Sequence, residues 1–341
     1  MATVQNVFVS PQMQGRLRSF DLRRDLSAVA DLVEECFNDT IDPDGKRYLR
    51  QMRSAARNPG FLRWANNVVE HTSMPLTGYI WEEDGRIVGN LSLIPFNLSG
   101  RRIYLIANVA VAPRYRRRGI ARALTSAAID HAVSRKARSA WLHVREDNEP
   151  AVKLYRSMGF RERARRTTWH SWTPASELDY RPAAGIIEPK LTRSSANGYA
   201  VGSRLAEHWP HQSTWLEHLY PPELAWHFPL DISALRPGLL GATYRFFTGH
   251  QYYHWSVQKD KRLLGSLTRQ RSSTFADYLW LALPPEPDET ALEVLLKHVV
   301  KQVHSRRPLT LDFPARLADT AIQAAGFHIH QVLIWMDMEF H

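Results

Sequence analysis

One stretch of this chain occurs twice. Asp84-Gly85-Arg86-Ile87-Val88-Gly89-Asn90-Leu91 resembles Asp260-Lys261-Arg262-Leu263-Leu264-Gly265-Ser266-Leu267. Further on, Trp141-Leu142-His143-Val144, a helical stretch and Met158-Gly159-Phe160 are echoed by Pro308-Leu309-Thr310-Leu311, a helical stretch and Ala325-Gly326-Phe327. The spacing from strand to Gly-Phe is the same in both. Two echoes in one order argue for a duplicated domain. A chain of 341 residues also exceeds one ordinary compact domain and suits two of medium size. At 44% hydrophobic residues, each copy can bury a core. The expected organisation is a first domain over 1–175, a Pro/Gly-containing linker over 176–190 and a second domain over 191–341.

Periodicity outlines the first copy. Phe20–Arg23 reads as a short strand, Leu26–Phe37 and Asp44–Arg57 as helices, and Gly78–Glu82 with Arg86–Ile94 as a hairpin. Arg102–Val111 is apolar almost throughout, as a central strand is. Pro113 stops it, and a helix follows from about Gly119 to Arg135. Ala140–Val144 is a strand. Asn148-Glu149-Pro150 opens a helix, which Gly159 ends. Phe160–Trp172 returns as a strand. In the second copy, Tyr278–Leu283 reads as a strand and Glu289–Val303 as a helix.

The chemistry concentrates in Asn108-Val109-Ala110-Val111-Ala112-Pro113-Arg114-Tyr115-Arg116-Arg117-Arg118-Gly119-Ile120-Ala121. A buried strand runs into a basic turn that opens onto a helix N-terminus. Free backbone N–H groups and the positive end of the helix dipole suit a phosphate or diphosphate there. Gly119 and the small Ala121 admit a close ligand, and the arginines add charge and direct contacts. Alone, the same segment also reads as a basic loop that precedes a helix.

Arg116-x-x-Gly119-x-Ala121 resembles the Gln/Arg-x-x-Gly-x-Gly/Ala signature of GCN5-related N-acetyltransferases (GNAT). Asn148, Ala151, Leu154, Tyr155 and Gly159-Phe160 resemble that family's second segment, and a helix and a strand separate the two elements as the family requires. The resemblance covers about residues 20–172, and the second half only in outline. It implies an α/β (α+β) chain of two tandem GNAT-like domains, each a mixed, mostly antiparallel sheet flanked by helices. It also implies transfer of an acetyl or other acyl group from acetyl-CoA to a primary amine. In that reading Arg116, Arg117, Arg118, Gly119, Ile120, Ala121 and Arg122 hold the diphosphate. The backbone of Val109, Ala110 and Val111 meets the pantetheine arm. Asn148 and Ala151 adjoin the cofactor. The Val109 amide polarises the thioester carbonyl, and Tyr155 protonates the departing thiolate. Without the motif, Tyr155 reads as a core aromatic. No carboxylate lies on Arg102–Val111, so the general base stays open among Glu82, Glu83, His143, Glu34, Glu35, a water chain and an amine that arrives already neutral.

The second copy lacks the anion turn. Its matching segment is Leu283-Pro284-Pro285-Glu286-Pro287-Asp288-Glu289, whose carboxylates repel a diphosphate. Ile322 stands where Tyr155 does, and Ala315 where Asn148 does. A degenerate copy without CoA is expected. Its aromatics, Trp209, Trp215, Tyr220, Trp226, Tyr252, Tyr253 and Trp255, read as core or as walls of an acceptor cleft.

The alternatives are a non-catalytic CoA-binding or regulatory protein and a nucleic-acid binder. The formal charge of +10 favours the latter, but the arginines of the turn already have a role and no nucleic-acid motif occurs. Arg161, Arg163, Arg165 and Arg166 form a second basic cluster. The expected partner is therefore a small-molecule or peptide amine, with no nucleic acid, no membrane, no metal and an open oligomeric state. The single cysteine, Cys36, excludes an intrachain disulfide and reads as a buried structural thiol. No signal peptide or apolar run of spanning length is visible, so a cytoplasmic location is expected.

Overall fold

The computed structural model describes residues 15–41, 43–58, 60, 76–98, 100–172, 194–196, 198–238, 251–272, 275–303 and 307–340. The linker expected over 176–190 lies outside them. The chain forms two compact units. The first comprises Met1–Val144, Glu149–Arg163 and Trp335–His341; the second comprises Arg145–Asn148 and Ala164–Ile334.

In the first unit, β1 (Arg16–Ser19), β2 (Thr77–Glu83), β3 (Arg86–Leu98) and β4 (Arg101–Val111) form an antiparallel run. β5 (Ser139–Arg145) then adds in parallel. The start of β6 (Arg161–His170) and the end of β13 (His328–Glu339) belong to this unit too. The strand expected over Phe20–Arg23 instead ends at Ser19. The Asp21 side chain accepts from Arg23 N at 2.9 Å and caps α1 (Leu22–Phe37), so capping chemistry overrides the apolar Phe20 and Leu22. Arg18 ties β1, α1 and β2 together through Asp25 at 2.6 Å and Glu82 at 2.7 Å. α1 packs on α2 (Pro43–Ala56), β3 and β4. α3 (Ile120–Ser134) buries Ile120, Leu124, Ala128 and Ala132, against β2, β3 and β4. α4 (Glu149–Ser157) ends at Gly159, in the left-handed region at φ 99°.

The second unit repeats this element order. β7 (Ser194–Ala196), β8 (Tyr199–Ser203), β9 (Tyr252–Lys259), β10 (Arg262–Gln270) and β11 (Asp277–Ala282) run antiparallel, and β12 (Leu309–Pro314) adds in parallel. α5 (Trp209–Leu219) precedes β9, α6 (Glu289–Gln302) follows β11, and α7 (Asp319–Ala324) follows β12. The core gathers Trp169, Trp255, Trp280, Tyr220 and the inner face of α6. Trp209, Trp215, Tyr252 and Tyr253 pack against it.

Geometry agrees with the sequence echo. Both hairpins turn through paired positive φ angles, Asp84 and Gly85 at 50° and 72°, Asp260 and Lys261 at 49° and 64°. Both bulge at the same place, with Val88 and Leu264 as the extra residues. Gly326 ends α7 at φ 92°, as Gly159 ends α4. Among the described residues, no helix is long and apolar enough to cross a membrane.

Candidate active site

Two local features open the first unit at one end of β4. The parallel ladder between β4 and β5 runs from Ile103↔Ser139 to Ile106↔Leu142 and stops, although both strands continue. On its other side β4 is bulged. Asn90 pairs with Ala110 and Ser92 with Ala107, so Asn108 and Val109 together face one residue of β3. Asn108 takes φ 51°. Asn90 Nδ2 donates to Asn108 O at 2.9 Å, and Asn108 Nδ2 to Ser92 Oγ at 3.4 Å. Tyr48 of α2 hydrogen-bonds the Asn108 side chain, and burial pushes its phenol up to about 12. Sequence reading treats β4 as uninterrupted. The available signal was an asparagine, which tolerates the left-handed region, inside an apolar run.

Past Val111 the chain makes a short 3₁₀ turn, Pro113–Tyr115, and reaches Gly119. Gly119 sits in the left-handed region, φ 84°, and α3 begins there with no side-chain cap. The Ala123 N–H bonds back to Gly119 O at 3.0 Å, so the preceding N–H groups stand outside the helical ladder. Arg114, Arg116, Arg117, Arg118 and Arg122 are all exposed around this end. Arg116 Nε donates to Val111 O at 3.1 Å, Arg118 to Glu83 at 3.2 Å and Arg122 to Ser157 Oγ at 2.6 Å. Cys36 Sγ also donates to Val111 O, at 3.4 Å, and burial raises its thiol pKa.

Tyr155, on α4, is 6% exposed and meets Phe160 edge to face at 6.0 Å. Burial pushes its phenol up to about 12, so it stays protonated at neutral pH. Its hydroxyl makes no hydrogen bond among the described residues. Ala151 lies one turn earlier on the same helix, and Asn148 lies just before it, in the segment grouped with the second unit.

The candidate bases separate by their partners. Glu82 is held by Arg18 and Arg24, which draw its pKa down. Glu83 is buried beside Arg118, and Glu34 is paired with Arg53. Glu35 is exposed on α1. His143 is the first β5 residue beyond the last pair with β4, and its ring stacks on Trp335 at 4.1 Å.

The second unit closes both features. Asp288 caps α6 by accepting from Ala291 N at 2.9 Å, and Tyr199 donates to the same carboxylate at 3.0 Å. Beyond Leu279↔Leu311 the β11–β12 ladder also stops. There the Tyr220 hydroxyl bonds Asp312 O at 3.1 Å and the Leu281 backbone, touching both strands. Arg166 adds an ion pair with Asp312 and lies 4.9 Å from the centres of the Tyr220 and Phe228 rings. Three members of the second basic cluster, Arg163, Arg165 and Arg166, are likewise engaged. Arg163 meets Asp337 at 2.7 Å and Glu339 at 3.1 Å, and Arg165 pairs with Glu146. Among the described residues no group of three or more metal-ligating side chains occurs.

A family model described as acetyltransferase (GNAT) family matches residues 28–160. Ribosomal protein bS18-alanine N-acetyltransferase of Escherichia coli K12 is 40% identical over 70 residues, 20% of this chain and 47% of that protein. Streptothricin acetyltransferase of Streptomyces lavendulae is 38% identical over 77 residues, 23% of this chain and 40% of that protein. The chain thus spans less than half the length of these relatives. A GCN5-related N-acetyltransferase from Sphaerobacter thermophilus superposes over 96% of both chains, with a TM-score of 0.55 at 14% identity, and shares the fold.

Proposed function

We propose that the first unit, whose residues 28–160 match the acetyltransferase (GNAT) family model, transfers an acyl group, most simply acetyl, from acyl-CoA to a primary amine. The observation that carries this is the meeting of two open ends. An uncapped helix N-terminus at Gly119 adjoins the end of β4 that has no partner on β5. Those groups suit a molecule with a diphosphate and an amide-bearing arm.

Acyl-CoA supplies the activated acyl group. The backbone N–H groups of Arg117–Ala121 take the diphosphate, and Arg116, Arg118 and Arg122 neutralise its charge. The stretch Val109, Ala110 and Val111, beyond the end of the β5 ladder, meets the arm, with the Val111 carbonyl already held by Arg116 and Cys36. The Val109 N–H polarises the acyl carbonyl. Tyr155 Oη gives its proton to the departing sulfur, with Ala151 leaving room beside it. His143, the first β5 residue beyond the last pair with β4, accepts the amine proton. The second unit has no CoA site, since Asp288 and Tyr220 occupy its equivalents of the open positions. The acceptor is a peptide or small-molecule amine, and the compartment is the cytoplasm.

Calorimetric titration with acetyl-CoA, followed by thiol release across an amine panel, tests this reading. The panel includes a peptide with N-terminal alanine and streptothricin, the acceptors named in its relatives. One equivalent of acetyl-CoA per chain and amine-dependent thiol release are expected. Absence of binding rejects the reading. Binding without release from any amine leaves a regulatory CoA-binding protein.

A further inference from the structure

Asn90 is 1% exposed, and its amide is aimed at backbone rather than at another side chain. We propose that Asn90 is a positioning residue, which by holding the carbonyl of Asn108 turns the Val109 N–H toward the open edge of β4. The inference rests on the acyl-CoA reading of the first unit.

One peptide, between Asn108 and Val109, is central. Asn108 and Val109 face a single β3 residue, and Asn108 adopts φ 51°, a left-handed conformation that asparagine tolerates better than most side chains. Here Asn90 Nδ2 holds Asn108 O at 2.9 Å, and Ser92 and Tyr48 hold the Asn108 side chain. The 108–109 peptide is trans and planar, so its C=O and N–H point in opposite directions. A carbonyl fixed by a β3 side chain therefore directs the Val109 N–H away from Asn90. β5 flanks β4 on the side opposite β3, and its pairing with β4 has already ended at Leu142.

The second copy is an internal control. Its hairpin turn and bulge equate Gly265 with Gly89, so Ser266 stands where Asn90 does. Ser266 is too short to reach across, and its hydroxyl is buried without a hydrogen-bond partner. There β10 and β11 pair from Ser266↔Ala282 to Gln270↔Tyr278 with no register shift. Clamp and bulge occur together in the copy with the open helix end and are both absent from the other.

Infrared spectroscopy of bound acetyl-CoA, labelled with ¹³C at the acyl carbonyl, tests the clamp without an acceptor. In the unaltered protein the bound carbonyl stretch should fall below that of free acetyl-CoA. Asn90→Ser should return it toward the free value. The same variant should weaken acetyl-CoA binding roughly three- to tenfold, the worth of one hydrogen bond, and leave CoA binding unchanged. Asn108→Gly should keep both signatures, because glycine takes positive φ freely, and Asn108→Val should lose them. If Asn90→Ser does not fold, the two Asn108 variants decide. An Asn90→Ser spectrum identical to the unaltered one, or an unshifted carbonyl in the unaltered protein, overturns the clamp alone. Failure of the unaltered protein to bind either acetyl-CoA or CoA overturns the acyl-CoA reading, and the clamp with it.

Discussion

Gly89 lies so close beneath Ile120 that a β-carbon at position 89 would fall 2.8 Å from Ile120 Cγ2. The same atom would also sit 3.0 Å from Trp81 Cβ and 3.1 Å from Leu124 Cδ1. The helix that opens at Gly119 is thus seated on β3 through a missing side chain. Gly89→Ala should force α3 outward, costing about 1–3 kcal/mol as overpacking does. Thermal denaturation should show the loss, and calorimetry a weaker hold on CoA. An unchanged midpoint would mean that the neighbouring side chains yield freely.

The two helix ends differ by one carboxylate. Asp288 satisfies α6 from within, whereas Gly119 leaves α3 uncapped. Gly119→Asp places a fixed negative charge where the diphosphate is proposed to bind, at a backbone position that also strains any side chain. CoA affinity should fall at least about tenfold, or 1.4 kcal/mol. Part of the loss should shrink as salt screens the charge. Titration at low and high salt reads both effects.

Tyr155→Phe keeps the ring against Phe160 and removes only the hydroxyl. Turnover should drop by about 10²-fold or more, the usual worth of a positioned acid, with CoA affinity intact. Equal turnover would reduce Tyr155 to a packing aromatic, and lost affinity would make it a binding residue.

Much of this was legible in the sequence because its signals are local. The repeat, the hairpin turns at Asp84 and Asp260 and the glycine stops at Gly159 and Gly326 depend on neighbouring residues alone. The basic turn before α3 is equally local. Phe20–Arg23 failed where an N-cap at Asp21 competed with apolar neighbours. The Asn108 bulge was hidden because one extra residue leaves an apolar run looking continuous. Arg163, Arg165 and Arg166 read in sequence as part of a basic cluster, and their partners Asp337, Glu146 and Asp312 are remote or inconspicuous there. For the same reason, nothing local says that Trp335–His341 groups with the first unit.

Arg166 is 2% exposed and serves the second unit through Asp312, Leu219 O and the rings of Tyr220 and Phe228. Arg166→Ala removes the buried guanidinium that pairs with Asp312, whose carboxylate keeps only its bond with Thr168 among the described residues. The cost should be about 3 kcal/mol, seen as a lower urea midpoint. Arg166→Ala with Asp312→Ala should recover part of it, because the stranded charge is gone. No recovery would assign the loss to the ring contacts instead.

His170 supplies the pH dependence. It is 3% exposed, stacked on His330 at 4.6 Å, and set edge-on to Phe275 and His328. Burial, with lesser repulsion from His330 and His328, pushes its pKa down to about 3 from an ordinary 6.5. Between those values the unfolded chain binds a proton that native His170 refuses. Its contribution to stability is therefore complete above about pH 6.5 and falls as pH drops, by about 1.4 kcal/mol per pH unit. His227, pushed down to about 4 by burial, adds to the same slope. His170→Phe preserves an aromatic ring beside Phe275 and removes one titrating group. Urea midpoints measured between pH 7 and pH 4 should lose one proton's worth of slope in the variant. Parallel slopes in both proteins would show that His170 is protonated as readily when folded as when free.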